Sequence, residues 1–209
     1  YSDKKSLILN LDLIKKKNIK KFVSLSKKKF KKIDVLINCA GKQHVAPICN
    51  FSDKIWEYIV SINLNTPFYM IKEVLPIMRK NSWGRIINIS SVHGSVASKN
   101  KSGYVSSKHG LVGLTKVVAL ETAKENITCN AIGPGFVLTE LVSKQIKKIA
   151  GKNRISFNKA SKNLIKEKHP SSDFIKKNDV SSLVYYLTTE EASQITGSNL
   201  IIDGGWTAQ

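Results

Sequence analysis

The stretch Arg85-Ile86-Ile87-Asn88-Ile89-Ser90-Ser91 is an apolar run of strand length closed by two serines, and it constrains the rest of the chain. Comparable runs lie at Ser6 to Leu11, Ile33 to Asn38, Ile127 to Ile132 and Leu200 to Ile202. Between them fall helix-length segments: Ile14 to Lys29, a helix from an N-cap at Ser52 towards Asn63, Thr66 to Lys80, Ser102 to Lys124, Leu141 to Lys168, and one capped by Asp179 that runs to Thr188. Strands alternating with helices in this way predict βαβ units and a parallel sheet, an α/β fold. With 209 residues, 42% of them hydrophobic, residues 1–209 suffice for one sizeable domain with a real core.

The net charge of +19 raises nucleic-acid binding, yet the lysines are spread along the chain and no zinc-finger spacing or RNA-recognition signature accompanies them. The clusters at residues 15–17 and 27–32 read as the solvated face of one helix. Three cysteines without Cys-x-x-Cys spacing and four scattered histidines predict reduced thiols and no metal site. No apolar run approaches the roughly 18 to 20 residues of a membrane span, and no signal-peptide pattern opens the chain, so a cytoplasmic protein is expected.

After the two serines and a polar loop, Ser102-Gly103-Tyr104-Val105-Ser106-Ser107-Lys108 opens a helix. Tyr104 and Lys108 are one turn apart and share a face. A free tyrosine has a pKa of about 10, so a phenolate near neutral pH needs a shift of roughly 3 units, or about 4 kcal/mol. A neighbouring ammonium favours that charged form. Ser91, at the carboxyl end of its strand, would face the same crevice and hydrogen-bond a substrate oxygen. The trio reads as a proton-transfer site for a hydroxyl or carbonyl.

At these spacings Ser91, Tyr104 and Lys108 resemble the catalytic set of the short-chain dehydrogenases/reductases. Asn38-Cys39-Ala40-Gly41, Asn63, Pro134-Gly135 and the closing Ile195-Thr196-Gly197 to Asp203-Gly204-Gly205 extend that likeness over essentially the whole chain. The resemblance implies a Rossmann-like doubly wound sheet and hydride transfer between a nicotinamide cofactor and an alcohol or ketone. It implies a proton relay through Asn63, and cofactor contacts from Asp12, Leu13, Cys39, Ala40, Gly41, Tyr104, Lys108, Pro134, Gly135, Val137 and Thr139. It also implies a mobile lid over residues 138–170 and a homotetramer. Cys39 stands where the family has a second asparagine.

Gln43-His44-Val45, Ser91-Val92-His93-Gly94, Lys101, Gln145-Ile146 and Gly204-Gly205-Trp206-Thr207-Ala208 resemble the branch of the family that oxidises D-3-hydroxybutyrate with NAD. A short hydroxy acid needs its carboxylate held apart from the carbinol. Gln43, His93, Lys101, Gln145 and Trp206 offer donors and one flat apolar wall for this. Singly, four of them have plainer readings: His93 a loop histidine, Lys101 a surface lysine, Gln145 an exposed glutamine, Trp206 a packing tryptophan. A reductase of other ketones, such as a 3-oxoacyl thioester, and a non-catalytic interaction subunit are the competing readings.

The family's glycine-rich phosphate loop does not occur in this chain. The resemblance thus implies that the fold's first two strands and helices lie outside these residues. Ser6 to Leu11 would then lack its neighbour, and the edge of Ile33 to Asn38 would be bare. A chain of this extent is expected to be inactive or poorly folded by itself.

Overall fold

A computed structural model of the chain describes residues 6–209. Four strands, β1 (Val35–Asn38), β2 (Gly84–Ile89), β3 (Ile127–Pro134) and β4 (Asn199–Ile202), form one sheet in the order β1-β2-β3-β4, parallel throughout. Between them run α1 (Lys16–Phe30), α2 (Asp53–Val60), α3 (Thr66–Lys80), α4 (Ser102–Glu121), α5 (Glu140–Asn153), α6 (Phe157–Lys168) and α7 (Lys177–Tyr186), with α1 preceding β1. Successive strand residues face opposite sides, so both sides of the central strands are buried. Ile86, Ile127 and Cys129 pack with Ile19, Met70 and Val74 of α1 and α3, whereas Ile87 and Ile132 pack with Leu187 and Ala192 beside α7. Burial at the centre of the sheet raises the Cys129 thiol to about 12, so it stays a neutral, inert core side chain.

The expected strand at Ser6 to Leu11 does not form: these residues carry no regular structure, and Ile8 is 65% exposed. A strand exists only where a neighbour accepts its ladder of hydrogen bonds, and β1 pairs only with β2 among the described residues. The free edge of β1 is the one that the sequence leads one to expect. Helix limits differ from expectation by a few residues at most. Ser52 takes an extended N-cap backbone without a side-chain bond, while the Asp179 carboxylate accepts the Lys176 N–H at 3.0 Å and so caps α7 from inside its first turn.

A third apolar cluster lies beyond the ends of β3 and β4. Val142 and Ile146 of α5, with Ala160, Leu164 and Ile165 of α6, pack against Val92, Phe136 and Trp206. The helix pair therefore sits over the loops that leave β2 and β3. Thr139 accepts the Val142 N–H at 3.4 Å and Ser156 accepts the Lys159 N–H at 3.2 Å, which caps each of the two helices.

Candidate active site

The loops after β1, β2 and β3 come together at the carboxyl end of the sheet, where a doubly wound fold opens a crevice. Ser91 caps a short turn, Val92–Gly94, by accepting the His93 N–H at 3.2 Å. A Cβ on Gly94 would lie 2.7 Å from Ser90 Oγ and 2.8 Å from a Val112 methyl, so a glycine lets this turn press against α4. The hydroxyl of Tyr104 then faces Ser91, which acts on its ionisation, and the Lys108 ammonium stands 5.7 Å from the Tyr104 ring centre. Lys108 is buried and donates to the Ile89 carbonyl at 2.6 Å. The three side chains singled out by their spacing do share one site.

Asn63 lies in a widened turn, Ser61–Asn65, that joins α2 to α3. Such turns interrupt the regular ladder and tend to serve functional sites. Its fully buried amide holds Lys42 by both main-chain groups: Oδ1 accepts the Lys42 N–H and Nδ2 donates to the Lys42 carbonyl, each at 2.9 Å. Nδ2 also donates to Ser107 Oγ at 3.0 Å. A Cβ on Gly41 would stand 3.2 Å from Asn63 Oδ1 and 3.8 Å from Lys108 Nζ. Asn63 thus fastens the turn after β1 against α4.

One electrostatic expectation is corrected. Tyr104 is raised, not lowered, from the ordinary tyrosine value: desolvation by its surroundings is the larger influence, and the Ser91 hydrogen bond opposes it. Lys108 does not overcome this: its ammonium lies over the ring, 5.7 Å from the centre, and is bonded to the Ile89 carbonyl, and burial lowers its own pKa to about 8 despite the nearby Cys39. At neutral pH the trio holds a neutral phenol beside an ammonium.

Ser91, His93, Lys101, Tyr104, Gln145 and Trp206, with Gln43 and Phe136, wall an inner cavity of about 40 Å³. All five residues expected to grip a carboxylate are therefore in one place. Gln43 Nε2 donates to Gln145 Oε1 at 3.1 Å, which ties the β1 loop to α5. Gln43, Lys101 and Gln145 also line an adjoining cleft of about 830 Å³, whose rim carries Lys42, Lys99, Lys144, Lys148 and Lys152 against the single carboxylate of Glu140. Lys101 is not a surface charge: it is 7% exposed, and no carboxylate comes within 4 Å of its ammonium among the described residues. Burial, and then repulsion from Lys168, lowers it to about 8.

His93 Nδ1 is 3.3 Å from Ser91 Oγ, its Nε2 is 2.9 Å from Ser98 Oγ, and its ring meets Tyr104 and Trp206 edge-on. Burial first, then Lys101, lower its pKa from 6.5 to about 3, so it stays neutral. An unfolded histidine takes up a proton that the folded one refuses. The stability linked to neutral His93 is therefore complete above pH 6.5 and drains away as the pH falls towards 3. Urea denaturation should show a loss of about 2 kcal/mol between pH 6.5 and pH 5. His93→Gln should flatten that slope; an unchanged slope would count against the neutral buried ring.

The remaining residues expected at a cofactor are placed as follows. Cys39, Ala40 and Gly41 form the exposed turn after β1. Asp12 Oδ1 accepts the Ile14 N–H at 3.2 Å ahead of α1, and Leu13 packs into the core beside α1 while its carbonyl accepts from Thr66 at 3.1 Å. Pro134 ends β3, Gly135 donates its N–H to the Ile202 carbonyl at 2.7 Å, Val137 bridges to Ile175, and Thr139 caps α5. Sequence reasoning missed Ser98, Phe136 and His169. None belongs to a spaced motif, and each reaches the site through a contact that only the folded chain makes.

The family model described as Enoyl-(Acyl carrier protein) reductase matches residues 2–207. A D-beta-hydroxybutyrate dehydrogenase of Cupriavidus necator is 44% identical over 198 residues, which covers 95% of this chain and 77% of the relative. Among solved structures, the ligand-free aldohexose dehydrogenase of Thermoplasma acidophilum is 34% identical with a TM-score of 0.91, over 96% of this chain and 78% of that one. A 4-hydroxyisoleucine dehydrogenase complexed with NADH is 33% identical with a TM-score of 0.80, over 96% and 81%.

Proposed function

We propose, from the premise that this chain belongs to the short-chain dehydrogenase/reductase family, that it is an NAD-dependent oxidoreductase interconverting D-3-hydroxybutyrate and acetoacetate. The observation that carries the substrate class is Lys101, a buried ammonium without a carboxylate partner among the described residues, in the same cavity as the Ser91 and Tyr104 hydroxyls. A carboxylate there would relieve an uncompensated buried charge while leaving a hydroxyl three carbons away for the other end of the cavity.

The crevice suits the nicotinamide end of a dinucleotide. An ammonium has three donors, and the Ile89 carbonyl takes one of those on Lys108, which leaves donors for a ribose diol. Gly41 adds no side chain above this ammonium, where a Cβ would narrow the space. Lys108, Tyr104, Gly41, Ala40 and Pro134-Gly135 would hold the cofactor's reactive end, and Asp12 and Leu13 its adenine end. A bound nicotinamide would supply the acceptor for the hydride that leaves the carbinol carbon. Tyr104 takes the hydroxyl proton in oxidation and returns it in reduction, Ser91 donates to the substrate oxygen, and Asn63 anchors the relay. Gln43, His93, Lys101, Gln145 and Trp206 orient the acid, and residues 138–170 act as a lid. The cellular form is a cytoplasmic homotetramer.

Reduction of the ketone of a 3-oxoacyl thioester is the second reading, favoured by the acyl-carrier description of the matching family and by the large lysine-rimmed cleft. Steady-state assays with D-3-hydroxybutyrate and with a 3-oxoacyl thioester, alongside quenching of tryptophan fluorescence by acetoacetate, separate the two. Turnover of the hydroxy acid at least tenfold faster than of the thioester, per KM, is expected. The reverse order would replace this reading with the second, and neither turnover nor quenching would leave an interaction subunit.

A further inference from the structure

His169 lies at the end of α6, outside every set of residues given a chemical role above. Its ring is 1% exposed. Nε2 accepts the Phe136 N–H at 3.0 Å, and Nδ1 is 2.9 Å from the Asp173 carbonyl. Both partners are main-chain groups, so the roles are fixed: an N–H needs a bare nitrogen at Nε2, and a carbonyl needs a proton on Nδ1. The ring stacks on Phe136 at 5.6 Å and 17°, and Phe136 lies 5.1 Å from Trp206, the apolar wall of the inner cavity. The slot accepts a flat ring because its far side is glycine. A Cβ on Gly135 would sit 2.6 Å from His169 Nε2, and one on Gly204 would sit 3.2 Å from Nδ1.

We infer that His169 is a positioning residue for the substrate cavity, its neutral Nδ1–H form pinning the Phe136 and Trp206 wall to the end of α6. It joins three pieces of chain that no strand or helix connects: the loop after β3, the end of α6, and the Asp203-Gly204 turn. The groups that face it are known. Asp203 acts from the C-terminal turn, with its carboxylate held by the Gly205 and Thr207 N–H groups, and favours an imidazolium. Lys168 precedes it on α6, and Lys101 lies beyond the Phe136 ring; burial outweighs the Asp173 carbonyl and Asp203 together and keeps the ring neutral. A second proton would aim Nε2–H at the Phe136 N–H and undo the join. Glutamine is the neutral stand-in, since its amide offers one acceptor and one donor that do not titrate near neutral pH.

This inference rests on the hydroxy-acid reading only for its kinetic arm. In the parent chain, nitrogen-15 spectra of the imidazoles should report the Nδ1–H form for His169 at neutral pH. Exchange of the Phe136 amide should quicken about tenfold more than that of the β2 amides in His169→Ala and return to the parent rate in His169→Gln. With D-3-hydroxybutyrate, His169→Ala should raise KM about tenfold with kcat nearly held, as expected for a displaced wall, and His169→Gln should restore KM. An Nε2–H or charged ring, a Phe136 amide that moves only with the β2 amides, or a KM equal in all three proteins would overturn it. Absence of turnover in the parent would refute the hydroxy-acid reading instead, and the spectra and the exchange rates would then decide the role of His169.

Discussion

Tyr104→Phe should reduce turnover of D-3-hydroxybutyrate by roughly 10³-fold, the scale of a lost general acid or base. The substitution removes one oxygen, which faces Ser91, and leaves the ring against His93. Folding and cofactor affinity should therefore change little. The pH profile offers a second check. Because burial raises the phenol above its ordinary value, Tyr104 is protonated at neutral pH in the free chain. It is ready to donate in ketone reduction and must lose its proton before it can accept in alcohol oxidation. Oxidation should accordingly quicken as pH rises from about 7, whereas reduction should not. The dependence of oxidation should vanish from whatever residual rate the phenylalanine variant retains. A variant within tenfold of the parent would remove Tyr104 from the chemistry.

The correction at Tyr104 illustrates what the sequence can and cannot carry. Helical geometry puts residues four apart on one face whatever surrounds them, so the neighbourhood of Tyr104 and Lys108 was readable from spacing. The sign of the pKa shift was not, because it depends on how much water the phenol loses and on which acceptor the lysine's N–H bonds. The acceptor is Ile89 O, nineteen residues upstream. Lys101 is a related case. In sequence it is one lysine among many, and its burial depends on Phe136 and on the α5–α6 pair packing over it.

β2 and β3 were legible because a strand buried on both faces leaves a continuous apolar run, and the half-buried edge strands β1 and β4 carry shorter runs of the same kind. Ser6 to Leu11 carries the same kind of pattern and is not a strand, since pattern gives a segment its preference and only a neighbour gives it a ladder. Asn63 could be assigned a place but not its actual partners, the two main-chain groups of Lys42, because that clamp depends on a widened turn with no sequence signature of its own. His169 was invisible for a similar reason: it acts through the Phe136 backbone, thirty-three residues away in sequence.

Lys101→Met should trade binding for stability, and the two effects have separate readouts. In the parent, burial lowers the ammonium from 10.5 to about 8. The unfolded chain therefore binds a proton more readily than the folded one between those values. The stability linked to Lys101 is full above pH 10.5 and is lost as the pH falls to about 8, so the charge is a burden at neutral pH. A shift of this size corresponds to roughly 3 kcal/mol at most. Methionine fills a similar volume without the charge and should raise the denaturation midpoint at pH 7. The same change removes the cation that faces the substrate carboxylate, so KM for D-3-hydroxybutyrate should rise by about 10²-fold while kcat changes much less. In the parent, log kcat/KM should lose one unit of slope as Lys101 deprotonates near pH 8, and the methionine variant should have no break there. If the variant were less stable than the parent and kept both its KM and the break, Lys101 would be neither an uncompensated charge nor the group that holds the acid.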